Sequence, residues 1–262
     1  ALEDQLGVAL LDRAGRGLIL TEPGRELLIH MREMGAAAER AALTATGQSQ
    51  ALRGTVSITA SDVFSAHLLP RIVADLARRT PEIDIEVISA NDLRDLSRRE
   101  ADIAIRHVRP EDPNLTARLL GEGHGRFYAS AAYLERRGRP QTREDLARHD
   151  FVGFLAADSM AATLASYGIP VPEQNIRYRT DSGLVMWELV RAGLGIGLMS
   201  DDLGRVTPDV DLLLPGERAF TYPIWLVTHR EVQSSRRIRH VFDHLAEAIS
   251  AHIKRINAQP LT

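Results

Sequence analysis

The sequence contains no cysteine, and among its 32 basic residues only Lys254 is a lysine. The absence of cysteine excludes disulfides, thiol nucleophiles and cysteine-bound metals, and it fits a reducing compartment. We interpret the preference for arginine as a genomic composition bias. No apolar run approaches the ~18 residues needed to span a bilayer, and no secretory signal is recognisable. We therefore expect a cytoplasmic protein that does not associate with membranes.

Length and charge limit the possible classes further. The chain has 262 residues, 44% of them hydrophobic, so it can bury a substantial core in one large or two ordinary domains. Its net charge of -3 differs from the global basicity of many nucleic-acid binders. Any contact with DNA must therefore come from a local basic segment.

The segment LLDRAGRGLILTEPGRELL, residues 10–28, predicts a small hairpin followed by a helix. Its two turn glycines tolerate the backbone angles of a tight turn, and Arg13 and Arg16 lie at the tip. Thr21 is placed to cap the helix. The acid and the proline that follow suit a first helical turn, because the acid complements the helix dipole and the proline loses no hydrogen bond.

The helix after Thr21 is predicted to run to about residue 50 and to carry a narrow seam. Its apolar or small residues recur in steps of four and three: Leu27, Met31, Met34, Ala38, Ala41 and Ala45, with Leu52 one heptad further. Such a seam is typical of a coiled coil and suits pairing with another helix better than packing on a broad core. We expect dimerisation through the first four residues of this seam, Leu27, Met31, Met34 and Ala38. The alternative is a long surface helix packed on its own domain.

Strands and helices alternate after GQSQALRG, residues 47–54, which we interpret as a linker. The first series comprises strands at 55–60, 84–89 and 102–106 and helices at 68–81 and 92–100. The second comprises strands at 126–130, 151–155, 175–180, 195–199, 210–214 and 222–229 and helices at 143–149, 160–168 and 182–193. This alternation predicts parallel sheet covered on both faces. We expect a terminal helix, 234–254, to return to the first series, giving two α/β lobes joined by two crossing strands.

Several motifs together resemble the LysR-type transcriptional regulators. They are ALEDQLGVALLDRAGRGLILTEPGRELL at the start, LLPRIVADLARRTPEIDIEV and ADIAIR in the first lobe, ASAAYLERRGRPQTREDLARHDFVGF at the crossover and LVRAGLGIGLMS in the second lobe. The resemblance covers all 262 residues. It implies an α/β, two-lobed, periplasmic-binding-protein-like effector domain, preceded by the wing hairpin and long linker helix of a winged helix-turn-helix domain.

The resemblance also implies that ALEDQLG is the tail of a recognition helix and that the hairpin is a wing. Arg13 and Arg16 are then the expected DNA-binding residues, because guanidinium groups suit phosphate oxygens and the minor groove. The alternative is that both are solvated turn residues. Family members read DNA through helices that would precede residue 1, so we expect the chain as given to bind DNA poorly.

The resemblance divides the chain into four expected parts. Residues 1–21 are a remnant of the DNA-binding domain, 22–53 the dimerisation helix, 54–128 with 226–262 lobe I, and 129–225 lobe II. A small molecule in the cleft is implied to change lobe closure and subunit arrangement, and so the position of the DNA-binding domains on a promoter. The expected partners are promoter DNA, a small-molecule effector and further copies in a homodimer or homotetramer.

The cleft between the lobes is the expected effector site, because open parallel sheets bind ligands beyond the carboxyl ends of their strands. Two loops lie at such ends. The loop after the strand at 55–60 offers Ser61, Asp62 and Phe64, and the loop at the end of the strand at 175–180 offers Thr180, Asp181 and Ser182. The resemblance adds Asn91, Arg106, Ala129, Ser130, Gly153, Phe154 and Leu155. The two aspartates weaken the case for a simple anionic effector, and helix capping is the alternative role of the hydroxyl groups.

Other classes of site find little support. AGLGIGL, residues 192–198, does not fit a dinucleotide site, because a helix precedes the glycines and a strand follows them. Gly193 is expected to end that helix, and Gly195 and Gly197 to let another backbone or a ligand come close. His240 and His244 lie four apart, a spacing that we interpret as a solvated helix face. We expect no metal and no cofactor.

Two rival functions remain open. A solute-binding protein of a transport system shares the two-lobed architecture, but it has no use for a heptad helix and a basic wing. An enzyme using the same cleft needs a catalytic set, and the sequence contains neither a G-x-S-x-G elbow nor an H-E-x-x-H motif. The regulator is the main hypothesis, and the solute-binding protein is the alternative.

Overall fold

The computed structural model describes residues 2–14, 17–45, 52–91, 101–216, 220–230 and 235–259. Three sequence predictions fall outside these ranges: Arg16, most of the linker at 47–54 and the helix at 92–100. Within the described ranges, no helix is long and apolar enough to cross a membrane.

The N-terminal part consists of a short helix, a hairpin and a long helix. Helix α1 spans Leu2–Leu6, strands β1 and β2 span Leu11–Ala14 and Gly17–Leu20, and helix α2 spans Glu22–Ala45. The two strands pair antiparallel, with Arg13 in β1. The Thr21 hydroxyl oxygen accepts the Gly24 N–H at 3.0 Å, and the hydroxyl donates to the Ala9 carbonyl at 2.7 Å. The predicted hairpin and helix cap are therefore confirmed.

The first lobe is built on three parallel strands. Its elements are β3 Gly54–Ala60, α3 Asp62–His67, α4 Leu69–Arg79, β4 Ile83–Ser89 and β5 Ile103–Arg106. Strand β3 lies between β4 and β5 and runs parallel to both. The predicted strands and the α4 helix are confirmed, whereas α3 is not among the predicted elements.

A long strand, β6, leads from the first lobe into the second, and β11 returns from it. The bounds are β6 Leu115–Ser130, α5 Ala131–Arg137, β7 Phe151–Phe154, α6 Ala157–Ser166, β8 Ile176–Thr180, α7 Gly183–Arg191, β9 Gly197–Ser200, α8 Asp201–Gly204, β10 Val210–Leu212, β11 Phe220–His229 and α9 Arg236–Asn257. The predicted helix at 143–149 is a 3₁₀ turn at Glu144–Arg148.

Strands β6 and β11 are the two crossing strands that the sequence predicts. They pair antiparallel from Phe220 opposite Gly125 to His229 opposite Leu115. The register shifts at one point, where Ile224 faces Gly121 and Trp225 faces Leu119. Leu120 is thus the extra residue of a β-bulge.

The prediction of parallel sheet is correct only in part. The main sheet has the order β10-β6-β11-β5-β3-β4, with β9 also paired to β6. Only β3, β4 and β5 are parallel in it, because β11, β6, β9 and β10 all pair antiparallel. Strands β7 and β8 form a separate parallel pair. The sheet is mixed because the chain crosses between the lobes on paired strands that run in opposite directions.

Each lobe has its own hydrophobic core, and α9 belongs to the first. Buried residues of β3, α3, α4, β4 and β5 pack with one face of α9: Ile238, Val241, Leu245, Ala246, Ile249 and Ile253. The second lobe has two clusters, one centred on Phe127, Tyr133 and Phe151 and another on Tyr128, Met186 and Trp187. The terminal helix therefore returns to the first lobe as predicted, while the exact residue bounds of the lobes stay predictions.

Truncating the buried face of α9 tests its contribution to the first lobe. Ile249 is fully buried in that core, so Ile249→Ala should lower the free energy of unfolding by about 2–5 kcal/mol. Glu247→Ala, at an exposed position on the same helix, should change it by less than about 0.5 kcal/mol. Urea denaturation followed by circular dichroism measures both. Equal stability of the two variants would contradict the packing described.

Candidate effector cleft

The carboxyl ends of strands from both lobes meet at the candidate cleft. In the first lobe, β3 ends before Ser61 and β4 ends shortly before Asn91. In the second lobe, β7 ends at Phe154 and β8 at Thr180, which face each other across the parallel pair. Open α/β sheets bind ligands at this edge, because backbone amides of the following helices point toward it.

The Asp62 carboxylate joins the two lobes directly. Its Oδ2 atom accepts the Ser182 hydroxyl at 2.6 Å and the Leu184 N–H at 3.2 Å, while Oδ1 accepts the Val63 N–H at 2.7 Å. Only 9% of Asp62 is exposed. The carboxylate of a first-lobe residue therefore lies on the first turn of α7 in the second lobe.

Asn91 makes a second connection beside Asp62. Its side-chain oxygen accepts the Asp62 N–H at 3.0 Å, and its side-chain nitrogen donates to the Asp181 carbonyl at 3.0 Å. The close approach also depends on Gly183, since a Cβ atom there would lie 2.7 Å from Val63 Cγ2. Hydrogen bonds and close packing together hold this side of the cleft shut.

The pKa of Asp62 is lowered from its ordinary value. Burial alone would raise it, because a carboxylate loses solvation in the protein. Hydrogen bonds from Ser182, Asn91 and the Leu184 and Val63 N–H groups stabilise the charged form and outweigh that effect. Asp62 is therefore a carboxylate at neutral pH.

Other predicted site residues line the same edge in less constrained positions. Ser61 occupies the cap position of α3, but its side chain makes no capping hydrogen bond there. The Thr180 hydroxyl oxygen accepts the Ser182 N–H at 3.1 Å, and Ser182 caps α7 by accepting the Val185 N–H at 3.2 Å. Phe154 and Leu155 are 45% and 62% exposed and add apolar surface.

Two predicted site residues are buried within the first lobe. Phe64 is 7% exposed and belongs to the core, where its ring contacts the edge of His107 at a centroid distance of 5.0 Å. Arg106 is 4% exposed and donates to the Ile105 carbonyl at 3.1 Å and the Thr59 hydroxyl at 3.3 Å. Burial lowers the pKa of His107, and Arg106 lowers it further. Arg106 therefore exposes little surface to a ligand.

Three further predicted residues have structural contacts inside the second lobe. Ala129 is fully buried in β6, opposite Asp211 of β10. Ser130 is 3% exposed and caps α5 by accepting the Tyr133 N–H at 3.3 Å. A Cβ atom on Gly153 would lie 2.4 Å from the Met160 sulfur. Burial and these contacts give all three residues a structural role within the second lobe.

A buried charged cluster at the crossing strands is absent from the sequence predictions. Asp201, 2% exposed, accepts hydrogen bonds from Arg126 Nε at 3.1 Å, the Tyr128 hydroxyl at 3.1 Å and Arg205 at 3.3 Å. Burial raises the pKa of Tyr128, and the Asp201 charge raises it further. The signal in the sequence is the SDD segment that directly follows β9, where acids in a first helical turn follow the carboxyl end of a strand.

The neighbouring Asp202 connects α8 of the second lobe to α9 of the first. Its carboxylate lies 3.1 Å from His252 Nε2, and the other ring nitrogen of His252 lies 2.9 Å from Arg255. Burial would raise the pKa of Asp202, but hydrogen bonds from His252 and Ser200 lower it. The lobes are therefore joined on two sides, at Asp62 and at Asp202.

The glycine motif and the histidine pair have structural roles. Gly193 has a φ of +81° and donates its N–H to the Val190 carbonyl, so it ends α7 as predicted. Cβ atoms on Gly195 and Gly197 would lie 2.6 Å from the Asp150 carbonyl oxygen and 2.4 Å from Val190 Cγ2. The close approach of another backbone is therefore confirmed at Gly195, whereas the neighbour of Gly197 is a side chain.

His240 and His244 contact different residues of the first lobe. His244 lies against α4, and His240 lies against the residue that ends α4. His240 Nε2 lies 2.8 Å from the Thr80 hydroxyl, and His244 Nε2 lies 3.6 Å from Asp75. The predicted solvated face is wrong for both, since they point toward the first lobe. Among the described residues, no group of three or more histidine, aspartate or glutamate side chains is arranged to hold a metal.

The lowered pKa of Asp62 predicts a pH-dependent contribution to stability. A depressed folded-state pKa stabilises the fold above the unfolded value of about 3.9, and this stabilisation is lost as the pH falls through the folded value. At pH 7, Asp62→Asn should lower Tm by a few degrees, and the difference from the unsubstituted protein should shrink as the pH falls below about 4. Scanning calorimetry between pH 7 and 3 measures it. Asp84→Asn, at an exposed position, is the control, and a constant difference for Asp62→Asn would contradict the assignment.

Comparison with known proteins identifies relatives along almost the whole chain. The profile of the LysR substrate binding domain matches residues 49–250. The HTH-type transcriptional regulator CrgA of Neisseria meningitidis serogroup B is 31% identical over 96% of this chain and 86% of its own length. The solved structure of CrgA superposes with a TM-score of 0.66 at 29% identity and covers 94% of this chain and 85% of that one.

A more distant structure shows the same fold. The full-length Vibrio cholerae virulence activator AphB has a TM-score of 0.65 at 24% identity and covers 94% of this chain and 86% of its own. The relatives are transcriptional regulators rather than enzymes, and they favour the regulator over a transport solute-binding protein. The family match, the CrgA relationship and the two-lobed fold agree, and the chain belongs to the LysR-type transcriptional regulators.

Proposed function

We propose that the cleft of this LysR-type regulator binds a small-molecule effector that controls how the protein acts on promoter DNA. The observation that carries the proposal is the meeting of strand ends from two lobes, where Asp62 and Asn91 contact the loop before α7. A ligand at this edge contacts both lobes at once. Its binding energy therefore differs between open and closed arrangements, as allosteric control requires.

The groups around the cleft favour a ligand with both polar and apolar parts. Ser61 and Thr180 supply hydroxyl groups at the ends of β3 and β8, and Phe154 and Leu155 supply exposed apolar surface. Small-molecule sites commonly combine apolar walls with a few polar groups that fix orientation. We assign Ser61 and Thr180 to ligand contact and Asp62, Asn91 and Ser182 to the contact between lobes. We assign no catalytic role to any of these residues.

The long helix α2 is proposed as the dimerisation element. Along the predicted seam, Met31 and Met34 are 48% and 66% exposed, Ala38 is exposed and Leu27 is partly buried. Methionine side chains exposed at heptad spacing in a single chain suit burial against a second helix. This exposure and the spacing support pairing of two α2 helices. We propose that the oligomer is a homodimer or a tetramer built from two dimers.

DNA contact is proposed through the hairpin. Arg13 lies in β1, and Arg16 precedes β2, so both belong to the segment that the family resemblance assigns to the wing. Guanidinium groups in such a hairpin suit phosphate oxygens and neutralise charge locally although the chain is net acidic. We place the protein in the cytoplasm, where promoter DNA is accessible.

Removing the Ser61 hydroxyl tests the effector site. A metabolite library is screened against the full-length protein for compounds that raise Tm and change affinity for a duplex from DNA upstream of its gene, measured by fluorescence anisotropy. Ser61→Ala should weaken the active compound by about fivefold to tenfold, which is the net worth of one hydrogen bond. The fold should be unaffected because this hydroxyl makes no cap bond.

Ser159→Ala, at an exposed position on α6, is the matched control and should leave the response unchanged. If the active compound affects Ser61→Ala and the unsubstituted protein equally, Ser61 is not part of the site. If no compound alters DNA affinity, effector control itself fails.

Charges in the α2 seam test the dimerisation proposal. The double substitution Met31→Glu and Met34→Glu should shift the mass measured by light scattering toward that of a single chain. The reason is that burying two carboxylates in an apolar seam costs a large desolvation free energy. Glu26→Lys changes charge at an exposed residue outside the seam and should assemble normally. Normal assembly of the double variant would exclude α2 as a main interface.

A further inference from the structure

The N-terminal turn of α7 already holds an anion supplied by the protein. Ser182 and Leu184 donate to Asp62 Oδ2 at 2.6 Å and 3.2 Å, so the hydroxyl and one N–H of that turn are engaged by a carboxylate from the opposite lobe. Asp62 is 9% exposed, so little water competes for these bonds. The interaction links residues 120 positions apart in the chain.

The N-terminus of α7 is a position that attracts negative charge. The N-terminus of a helix carries a partial positive charge and unpaired N–H groups, and it attracts carboxylates and phosphates. Helix α7 has nine residues and follows β8 at the ligand-binding edge of the sheet. An anionic group of a ligand in the cleft would favour the same donors that Asp62 uses.

The residues around the Asp62–Ser182 bond also pack closely between the two lobes. Gly183 leaves no room for a side chain beside Val63, and Asn91 bridges the Asp62 N–H to the Asp181 carbonyl. Displacing the Asp62 carboxylate from α7 would break its bonds to Ser182 and Leu184 and leave this buried group with the Val63 N–H as its donor. A ligand carboxylate must therefore overcome both the lost bonds and repulsion from Asp62.

We propose that Asp62 is a specificity-determining residue that closes the cleft without a ligand and excludes carboxylates from the N-terminus of α7. The effector is accordingly an uncharged or cationic molecule at this end of the site. This inference rests on the proposed effector function of the cleft, but the closure that it describes is a property of the protein alone.

The distance between the lobes tests closure without any effector or DNA. Because the chain has no cysteine, spin labels can be attached at Ala66→Cys and Ser159→Cys alone, two exposed positions in different lobes. Pulsed electron paramagnetic resonance should give a longer and broader distance distribution after Asp62→Ser than in the labelled parent. The labelled Asp84→Asn control should match the parent, and an unchanged Asp62→Ser distribution would overturn the proposal.

A second variant keeps the test valid if Asp62→Ser does not fold. Gly183→Ala retains the carboxylate but adds a Cβ atom 2.7 Å from Val63 Cγ2, so it should also lengthen the distance. Gly216→Ala is its matched control, since a Cβ atom there meets nothing within 4 Å. Identical distances in the two alanine variants would show that the lobes are not held together at α7.

Ligand selectivity is tested with phenylacetate and phenylacetamide, which share a shape and differ in charge. In calorimetric titrations, phenylacetate should bind Asp62→Ser at least tenfold more tightly than it binds the unsubstituted protein, while phenylacetamide should change by less than twofold. Equal phenylacetate affinity, or no phenylacetate binding to either protein, would overturn the exclusion. Failure of effector control over DNA leaves the distance result intact, so the two proposals fail separately.

Discussion

The antiparallel pairing of β6 with β11 is the constraint on which the rest of the structure depends. These strands carry the chain into the second lobe and back, and residues at one end of β6 belong to the first-lobe core while residues at the other belong to the second. The pairing fixes which strand ends face each other. Asp62 meets α7 because this frame turns the carboxyl edges of the two lobes together, although nothing near Asp62 in the sequence specifies that contact.

The buried carboxylates of Asp62 and Asp201 lie at the contact between the lobes and at the crossing strands. Asp62 binds donors at one side of the contact, and Asp201 and Asp202 bind arginine, tyrosine and histidine at the crossing strands. Buried ionic groups need several partners to offset lost solvation, so each tolerates only a narrow range of positions. Apolar packing would permit the lobes many relative orientations of similar energy. The charged contacts restrict the lobes to fewer orientations.

Local pattern was enough to predict most of the elements and the return of α9, because short apolar runs mark the strands and α9 buries one periodic apolar face. It did not reveal the full length of β6, whose segment Leu115–Gly125 mixes polar residues and glycines and is recognisable only through its pairing with β11. The loops at 61–62 and 180–182 were correctly brought to one edge by the rule for strand ends. The Asp62 to Ser182 bond spans the two lobes, so no local pattern encodes it.

The bulge at Leu120 has a mechanical consequence. Leu120 is buried in the first core and has no counterpart on β11, so sliding the two strands past each other would withdraw it from that core and invert the faces of its neighbours. Translation along the strands is therefore blocked, while twisting about them remains soft, since twist varies widely in paired ribbons. The paired strands therefore resist sliding more strongly than they resist twisting. The two lobes can therefore rotate against each other without any change in the register of β6 and β11.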